Sequence, residues 1–248
     1  MTKRVAFVTG GNGGIGSSIC SELAKQGHTV VAGYFPPEKE SAEAWQKQMH
    51  DDGISIGLAA VDVSSFEDCE RAVKEIADEF GTVDILVNCA GITRDGTLKK
   101  MPEENWSAVM STNLDSAFNV TRHVINDMLN NGWGRIVNIA SVNGQRGQFG
   151  QANYSAAKAG MHGFTMAVAL ETAAKGITVN TVSPGYVSTP MTEAMPEEVL
   201  QSIINSVPMR RMGKPEEIAN AVAWLASEGN AYTTGANIPV NGGLFTSH

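Results

Sequence analysis

Val5-Ala6-Phe7-Val8-Thr9-Gly10-Gly11-Asn12-Gly13-Gly14-Ile15-Gly16 is the stretch on which the fold turns. Its first five residues form a short apolar run of the kind that makes a buried strand. Glycines end the run, and an amphipathic pattern over residues 15–26 follows. Strand, glycine turn and helix in that order build a cradle for phosphate. The first N–H groups of a helix lack partners and carry a partial positive charge, and glycines let a pyrophosphate approach the backbone. G-x-G-x-x-G is met at Gly11, Gly13 and Gly16, but Thr9-Gly10-x-x-x-Gly14-Ile15-Gly16 is the more informative spacing. A purely structural turn would also use glycine. Its place at the first strand–helix junction favours the nucleotide reading.

Thr29-Val30-Val31-Ala32-Gly33-Tyr34 reads as the second strand, and Gly33-Tyr34-Phe35 at its end carries no acid. An acid there would hold a ribose 2′-hydroxyl and repel a 2′-phosphate. NADP(H) is therefore favoured at Tyr34, and NAD(H) is not excluded. Asn12 stands where a basic residue could have met the phosphate, and Lys39 lies between Glu38 and Glu40. Residues 38–52 read as a helix. The third strand lies within 54–63 and ends in Asp62-Val63. Asp62 either accepts from an adenine amino group or caps the helix over 66–80, where Ser64 and Ser65 compete for that role. Ile85-Leu86-Val87-Asn88 is the fourth strand, closed by Cys89-Ala90-Gly91. A long, mostly helical segment over 103–129 holds Asn113, an unfavourable helix-interior residue whose hydrogen bond would kink the helix.

The fifth strand, 135–140, delivers Ser141, and the sixth, 177–182, is broken by Ser183-Pro184-Gly185-Tyr186. Pro184 and Gly185 would leave a backbone that a flat ring could approach. Residues 189–206 suit a short helical excursion, either a substrate lid at about 189–210 or a fixed connection. Pro215 opens a helix, and Asn237-Ile238-Pro239-Val240 is a last strand whose proline points to a sheet edge. Strands alternate with helices throughout. The expectation is one α/β domain over 1–248, a Rossmann-type doubly wound parallel sheet flanked by helices on both faces. Ligands of such sheets bind beyond the carboxyl ends of the strands, where the glycine turn, Asp62 and Asn88 all fall.

Several function classes drop out. A formal charge of −8 argues against general nucleic-acid binding. Ser141 is not in G-x-S-x-G, which disfavours a hydrolase nucleophile. The five histidines show no triad or metal spacing; His123 and His162 read as ordinary helix residues and His248 as the terminus. Cys20, Cys69 and Cys89 form no CxxC and read as reduced thiols of a cytoplasmic protein, with Cys89 packing rather than reacting. No apolar run reaches membrane-span length, and Met1-Thr2-Lys3-Arg4 passes straight into a strand without a secretory signal.

Residues 151–174 read as a helix that places Tyr154 and Lys158 on one face, four residues apart. A free tyrosine, with a pKa of about 10, is a poor acid at neutral pH. A neighbouring ammonium would favour the phenolate and lower that pKa, making the pair a proton donor for a carbonyl oxygen gaining charge. Alone, Tyr-x-x-x-Lys could equally be an ordinary half-exposed helix face.

Thr9-Gly10-x-x-x-Gly14-x-Gly16, Asp62-Val63, Asn88-Cys89-Ala90-Gly91, Asn113, Ser141, Tyr154-x-x-x-Lys158 and Pro184-Gly185 with Thr189 occur in one order. Together they resemble the short-chain dehydrogenase/reductase family from end to end, with Cys89 where the family usually has a second asparagine. The resemblance implies that Tyr154 donates the proton and that Lys158 lowers its pKa and holds the nicotinamide ribose. It implies that Ser141 holds the carbonyl oxygen, Asn113 positions a water leading from Lys158, and Thr189 contacts the carboxamide. It implies a homotetramer. Asn143-Gly144-Gln145-Arg146-Gly147-Gln148-Phe149-Gly150-Gln151, Gly91-Ile92-Thr93-Arg94-Asp95 and Tyr186 are similar to the acetoacetyl-CoA reductase subfamily of polyhydroxybutyrate synthesis. There, Gln148, Phe149, Gln151 and Tyr186 would line the acyl and pantetheine end of an acyl-CoA thioester. Arg94, Lys99 and Lys100 are candidates for its phosphates. The neighbouring 3-oxoacyl-(acyl-carrier-protein) reductases share the catalytic set and Ile92-Thr93-Arg94-Asp95. A nucleotide-sensing protein without turnover is the alternative outside enzymes; the complete Ser141, Tyr154 and Lys158 set argues against it.

Overall fold

Alternating side chains decide how the sheet is covered. In β1 (Val5–Val8), Ala6 and Val8 enter one apolar layer and Phe7 the other. In β4 (Ile85–Asn88), Ile85 and Val87 take the first side and Leu86 the second. This period of two, with apolar residues at nearly every position, is what a sheet buried on both faces requires. The structure, a computed structural model, describes residues 2–189, 192 and 196–246.

The remaining strands are β2 (Thr29–Tyr34), β3 (Gly57–Ala60), β5 (Gly134–Ile139), β6 (Ile177–Pro184) and β7 (Asn237–Val240). All seven are parallel in the order β3-β2-β1-β4-β5-β6-β7. The chain winds outward from β1 to β3 and then returns to β4, so the switch point lies between β1 and β4. The fold is a Rossmann-type α/β sheet.

The layer holding Ile19 and Leu23 of α1 (Gly14–Lys25) also takes α2 (Lys39–Asp51) through Met49. Ile218, Val222 and Leu225 of the C-terminal helix Pro215–Ala226 complete it. The opposite layer takes Cys69 and Ile76 of α3 (Phe66–Phe80), with Val120, Val124 and Met128 of Ser116–Asn131. Each fully buried Leu, Ile or Val is worth about 1.5–3 kcal/mol relative to exposure. Ser65 caps α3 by accepting from the Asp68 N–H at 3.1 Å, so the cap is not Asp62.

Two sequence expectations shift. The sixth strand does not stop at Val182 but runs through Pro184. Its pairing with β5 ends at Ile139–Val182, so Ser183 and Pro184 pair only with β7 and the missing proline N–H costs no ladder bond there. The segment over 103–129 is α4 (Glu103–Met110) and α5 (Ser116–Asn131), joined by a π-turn, Ser111–Asp115. Within the expected lid, Glu197–Ser206 forms α8; residues 190, 191 and 193–195, like His248, lie outside the described residues.

Candidate active site

The cradle is built at the β1–α1 turn. Gly10 turns the chain with φ 62°, a conformation that favours glycine. Gly16 is buried so closely against the Gly10 carbonyl that a Cβ would overlap it. Thr9 Oγ1 accepts from the N–H groups of Cys89 and Ala90 at 3.0 and 3.1 Å, tying the ends of β1 and β4 together. The first turn of α1 has no side-chain cap and no acid, and its first helical bond runs from Ser17 to Gly13. The N–H groups of Gly14, Ile15 and Gly16 therefore remain for a ligand. An uncapped helix start over a glycine floor fits a dinucleotide pyrophosphate.

The rim departs from expectation in three places. Asn12 Nδ2 donates to Glu38 Oε2 at 3.4 Å, which brings an acid to the cradle from beyond the tip of β2, where Tyr34 is buried. Asn88 is buried, and its amide donates to Asn138 Oδ1 at 2.8 Å and Thr121 Oγ1 at 3.3 Å. Its amide nitrogen braces β4 against β5 and α5, while its Oδ1 is buried without a partner among the described residues. Gly185 owes its missing side chain to β7, since its N–H donates to Val240 O and a Cβ would sit 2.8 Å from Asn241 Cα. Asp62 Oδ1 is held by Ser64, and its other oxygen takes no hydrogen bond among the described residues. Val63 is buried and can reach a ligand only through its backbone. Thr189 is tied to Thr192, its N–H donating to Thr192 Oγ1 at 2.8 Å.

α6 (Val142–Arg146) follows β5, and α7 (Ala152–Thr172) carries Tyr154 and Lys158. Lys158 is buried, and its Nζ donates to Ile139 O at 2.8 Å. Burial lowers its pKa to about 8. Tyr154 is raised, first by burial; a hydrogen bond with Ser141 pulls it down, and Cys89 and Asp95 push it up. In this geometry burial outweighs any lowering of the tyrosine by Lys158. The ammonium is turned to the Ile139 carbonyl and stands 5.7 Å from the ring centroid. A tyrosine held protonated suits a proton donor. Burial pushes the Cys89 thiol up to about 11, which keeps it a neutral packing group.

Asn113 sits fully buried in the π-turn, a distortion common at functional sites. Its Oδ1 accepts from Ile92 N at 2.7 Å and its Nδ2 donates to Ile92 O at 2.8 Å. The side chain therefore anchors the loop after β4 through one bond at each end of its amide. A Cβ at Gly91 would come 2.9 Å from Asn113 Oδ1 and 3.5 Å from Lys158 Nζ, so glycine keeps the floor above Lys158 open.

Ala152 and Ser155, close to Tyr154 in sequence, help line a cavity of about 370 Å³, walled by residues 96–98 on one side and by Gly147, Gln148, Phe149, Gly150, Ala152 and Ser155 on the other. Phe149 is 88% exposed. Leu98 opens the short turn Leu98–Lys100, which sets Lys99 and Lys100 at the rim. Arg94 is exposed and donates to its neighbour Thr93 O. Gln151 and Asp95 are bonded to each other, with Nε2 donating at 2.9 and 3.1 Å. Tyr186 is half-buried, and its carbonyl accepts from Gly213 N. Sequence reading missed Glu38, Asn138 and Asn143, because their partners lie 8–50 residues away and no local spacing marks them.

A nucleotide cradle at the switch point, with a tyrosine, a serine and a lysine beyond the strand ends, defines a nicotinamide-dependent oxidoreductase. The family described as Enoyl-(Acyl carrier protein) reductase matches residues 10–245. The chain belongs to the short-chain dehydrogenase/reductase family. It is 62% identical over 242 residues, 98% of each chain, to an acetoacetyl-CoA reductase of Allochromatium vinosum. It is 52% identical over 244 residues to an acetoacetyl-CoA reductase of Cupriavidus necator, covering 98% of this chain and 99% of that one. It is 46% identical over 242 residues to a 3-oxoacyl-(acyl-carrier-protein) reductase of Vibrio cholerae, covering 98% and 97%.

Proposed function

We propose that the protein reduces acetoacetyl-CoA to (R)-3-hydroxybutyryl-CoA, supplying the precursor of polyhydroxybutyrate. The observation that carries this is the half-buried Tyr154, with Lys158 one helical turn on in α7 and Ser141 just past β5, next in sequence to residues Ala152 and Ser155 that line a cavity of about 370 Å³. The identities to acetoacetyl-CoA reductases support the CoA thioester over the carrier-protein thioester. The nicotinamide cofactor supplies the hydride when bound. Ser141 and Tyr154 hold the ketone oxygen, and Tyr154 gives it a proton as its charge grows. Lys158, beneath Gly91, would bind the nicotinamide ribose and return the proton. With its side chain committed to Ile92, Asn113 would meet a relay water through its backbone. Within the expected lid at about 189–210, α8 would close over the cleft of a single domain.

The dinucleotide is NAD(P)H, and its 2′ end meets two opposed signals. The acid-free tip at Tyr34 favours NADPH, whereas the Glu38 carboxylate beside Asn12 would accept from a ribose 2′-hydroxyl and repel a 2′-phosphate. We weigh the carboxylate more heavily, so NADH should be used at least as well as NADPH. Glu38→Gln should raise kcat/KM for NADPH about tenfold, equivalent to about 1.4 kcal/mol, and leave NADH little changed. Steady-state kinetics with both cofactors check this; an unmoved ratio would remove Glu38 from the 2′ site.

Among the described residues, no helix is long and apolar enough to cross a membrane. We place the enzyme in the cytoplasm as a homotetramer, its contacts supported by exposed Phe118 on α5 and by Met166 and Leu170 on α7. The test of substrate class is kcat/KM for acetoacetyl-CoA against acetoacetyl-carrier protein. A strong preference for the CoA thioester is expected; the reverse would make the protein a fatty-acid elongation reductase.

A further inference from the structure

Asn143 joins the two ends of the cleft. Its backbone N–H donates to Ser141 Oγ at 3.1 Å, and its side-chain amide donates to Gln151 Oε1 at 2.9 Å. Gln151 in turn grips both oxygens of Asp95. The residues flanking Asp95 are pinned as well. Asn153 Nδ2 donates to Arg94 O at 3.0 Å, and Gly96 N donates to Gly150 O at 2.8 Å. Asp95 makes no ion pair among the described residues, so the Gln151 amide is its partner.

These contacts allow Gln151 one orientation. Flipped, its oxygen would face the Asp95 carboxylate, which is repulsive; with its NH₂ turned to Asp95, its oxygen accepts from the Asn143 amide. The two loops so joined are the two walls of the 370 Å³ cavity that Ala152 and Ser155 help line. Gln151 is thus a clamp and not a free donor to the thioester.

We infer that Asn143 is a positioning residue that sets selectivity for the acyl-thioester end of the substrate, by fixing the Gln151 amide that holds the 91–97 loop against the start of α7. The inference rests on the β-keto thioester reading. The residue's two tasks are chemically separable. Its N–H to Ser141 survives replacement by alanine, whereas the hold on Gln151 needs the carboxamide.

The test is steady-state kinetics of the full-length protein with acetoacetyl-CoA and with ethyl acetoacetate, which lacks the CoA arm. Wild type, Asn143→Ala, Gln151→Ala and the double variant are compared. Asn143→Ala should raise KM for acetoacetyl-CoA about tenfold with a much smaller change in kcat. The selectivity for acetoacetyl-CoA over ethyl acetoacetate should fall by a similar factor. Gln151→Ala should do the same, and the double variant should be no worse than either, because residues acting in one chain of contacts are non-additive. Additive effects on KM, or an equal loss on both substrates, would overturn the inference. A wild type that turns over ethyl acetoacetate but not acetoacetyl-CoA would instead sink the thioester reading, and the clamp's role with it.

Discussion

Tyr154→Phe should lower kcat/KM for ketone reduction by about three orders of magnitude, within the range that a positioned general acid supplies. Cofactor affinity and melting temperature should stay near wild type. The substitution removes one oxygen and keeps the ring, so packing in the first turn of α7 survives. Ser141 loses its partner but keeps the N–H of Asn143. What disappears is the proton for the oxygen that gains charge. Stopped assays that follow cofactor absorbance, with a separate fluorescence titration of cofactor binding, separate the two effects; retained turnover would remove Tyr154 from the mechanism. The pH dependence carries a sign of its own. Burial keeps Tyr154 protonated through neutrality, so reduction should not lose its acid there. Lys158 is charged below about pH 8 and loses its proton above it. The reduction rate should therefore be level below that point and fall on the alkaline side.

Gly16→Ala should weaken dinucleotide binding by about a hundredfold and cost on the order of 3 kcal/mol of stability. A Cβ at this position would overlap the Gly10 carbonyl and lie 2.9 Å from Gly11 Cα, and neither neighbour is a flexible side chain. Relief requires the glycine turn to open, which withdraws the N–H groups of Gly14 and Ile15 from the pyrophosphate. Ser17→Ala, in the same helix but outside the turn, should leave affinity within about twofold and so acts as a control; it loses only the Trp45 indole bond to Ser17 Oγ. Calorimetric titration with NADH and thermal melts check both numbers. Unchanged affinity in Gly16→Ala would mean that the cradle does not hold the phosphates.

The framework was legible because it follows local periodicity. β2, α3, β4 and β7 fall where alternation, capping and turn residues put them. The placement of the expected catalytic residues was legible for a similar reason: Tyr154 and Lys158 are one helical turn apart, and Ser141 follows a strand. Contacts between distant segments were not. Glu38 meets Asn12 across 26 residues and Gln151 meets Asp95 across 56, and no spacing rule links such pairs. Strand-end position alone also does not show how a buried polar group is used. Asn88 stands at a strand end, as a ligand-binding residue would, and its amide nitrogen is spent on Asn138 and Thr121 inside the core. Lys158 was expected to act on the tyrosine because the two share a helix face. Its reach to the Ile139 carbonyl depends on where β5 ends, which the helix pattern does not contain.

The most direct measurement is the fate of the hydride. Acetoacetyl-CoA is incubated with NADH carrying deuterium at nicotinamide C4, and the product is analysed by mass spectrometry and chiral chromatography. One deuterium at C3 of (R)-3-hydroxybutyryl-CoA, formed by wild type and lost in Tyr154→Phe, is the predicted result. No labelled hydroxyacyl-CoA with either NADH or NADPH, while the carrier-protein thioester is reduced, would contradict it.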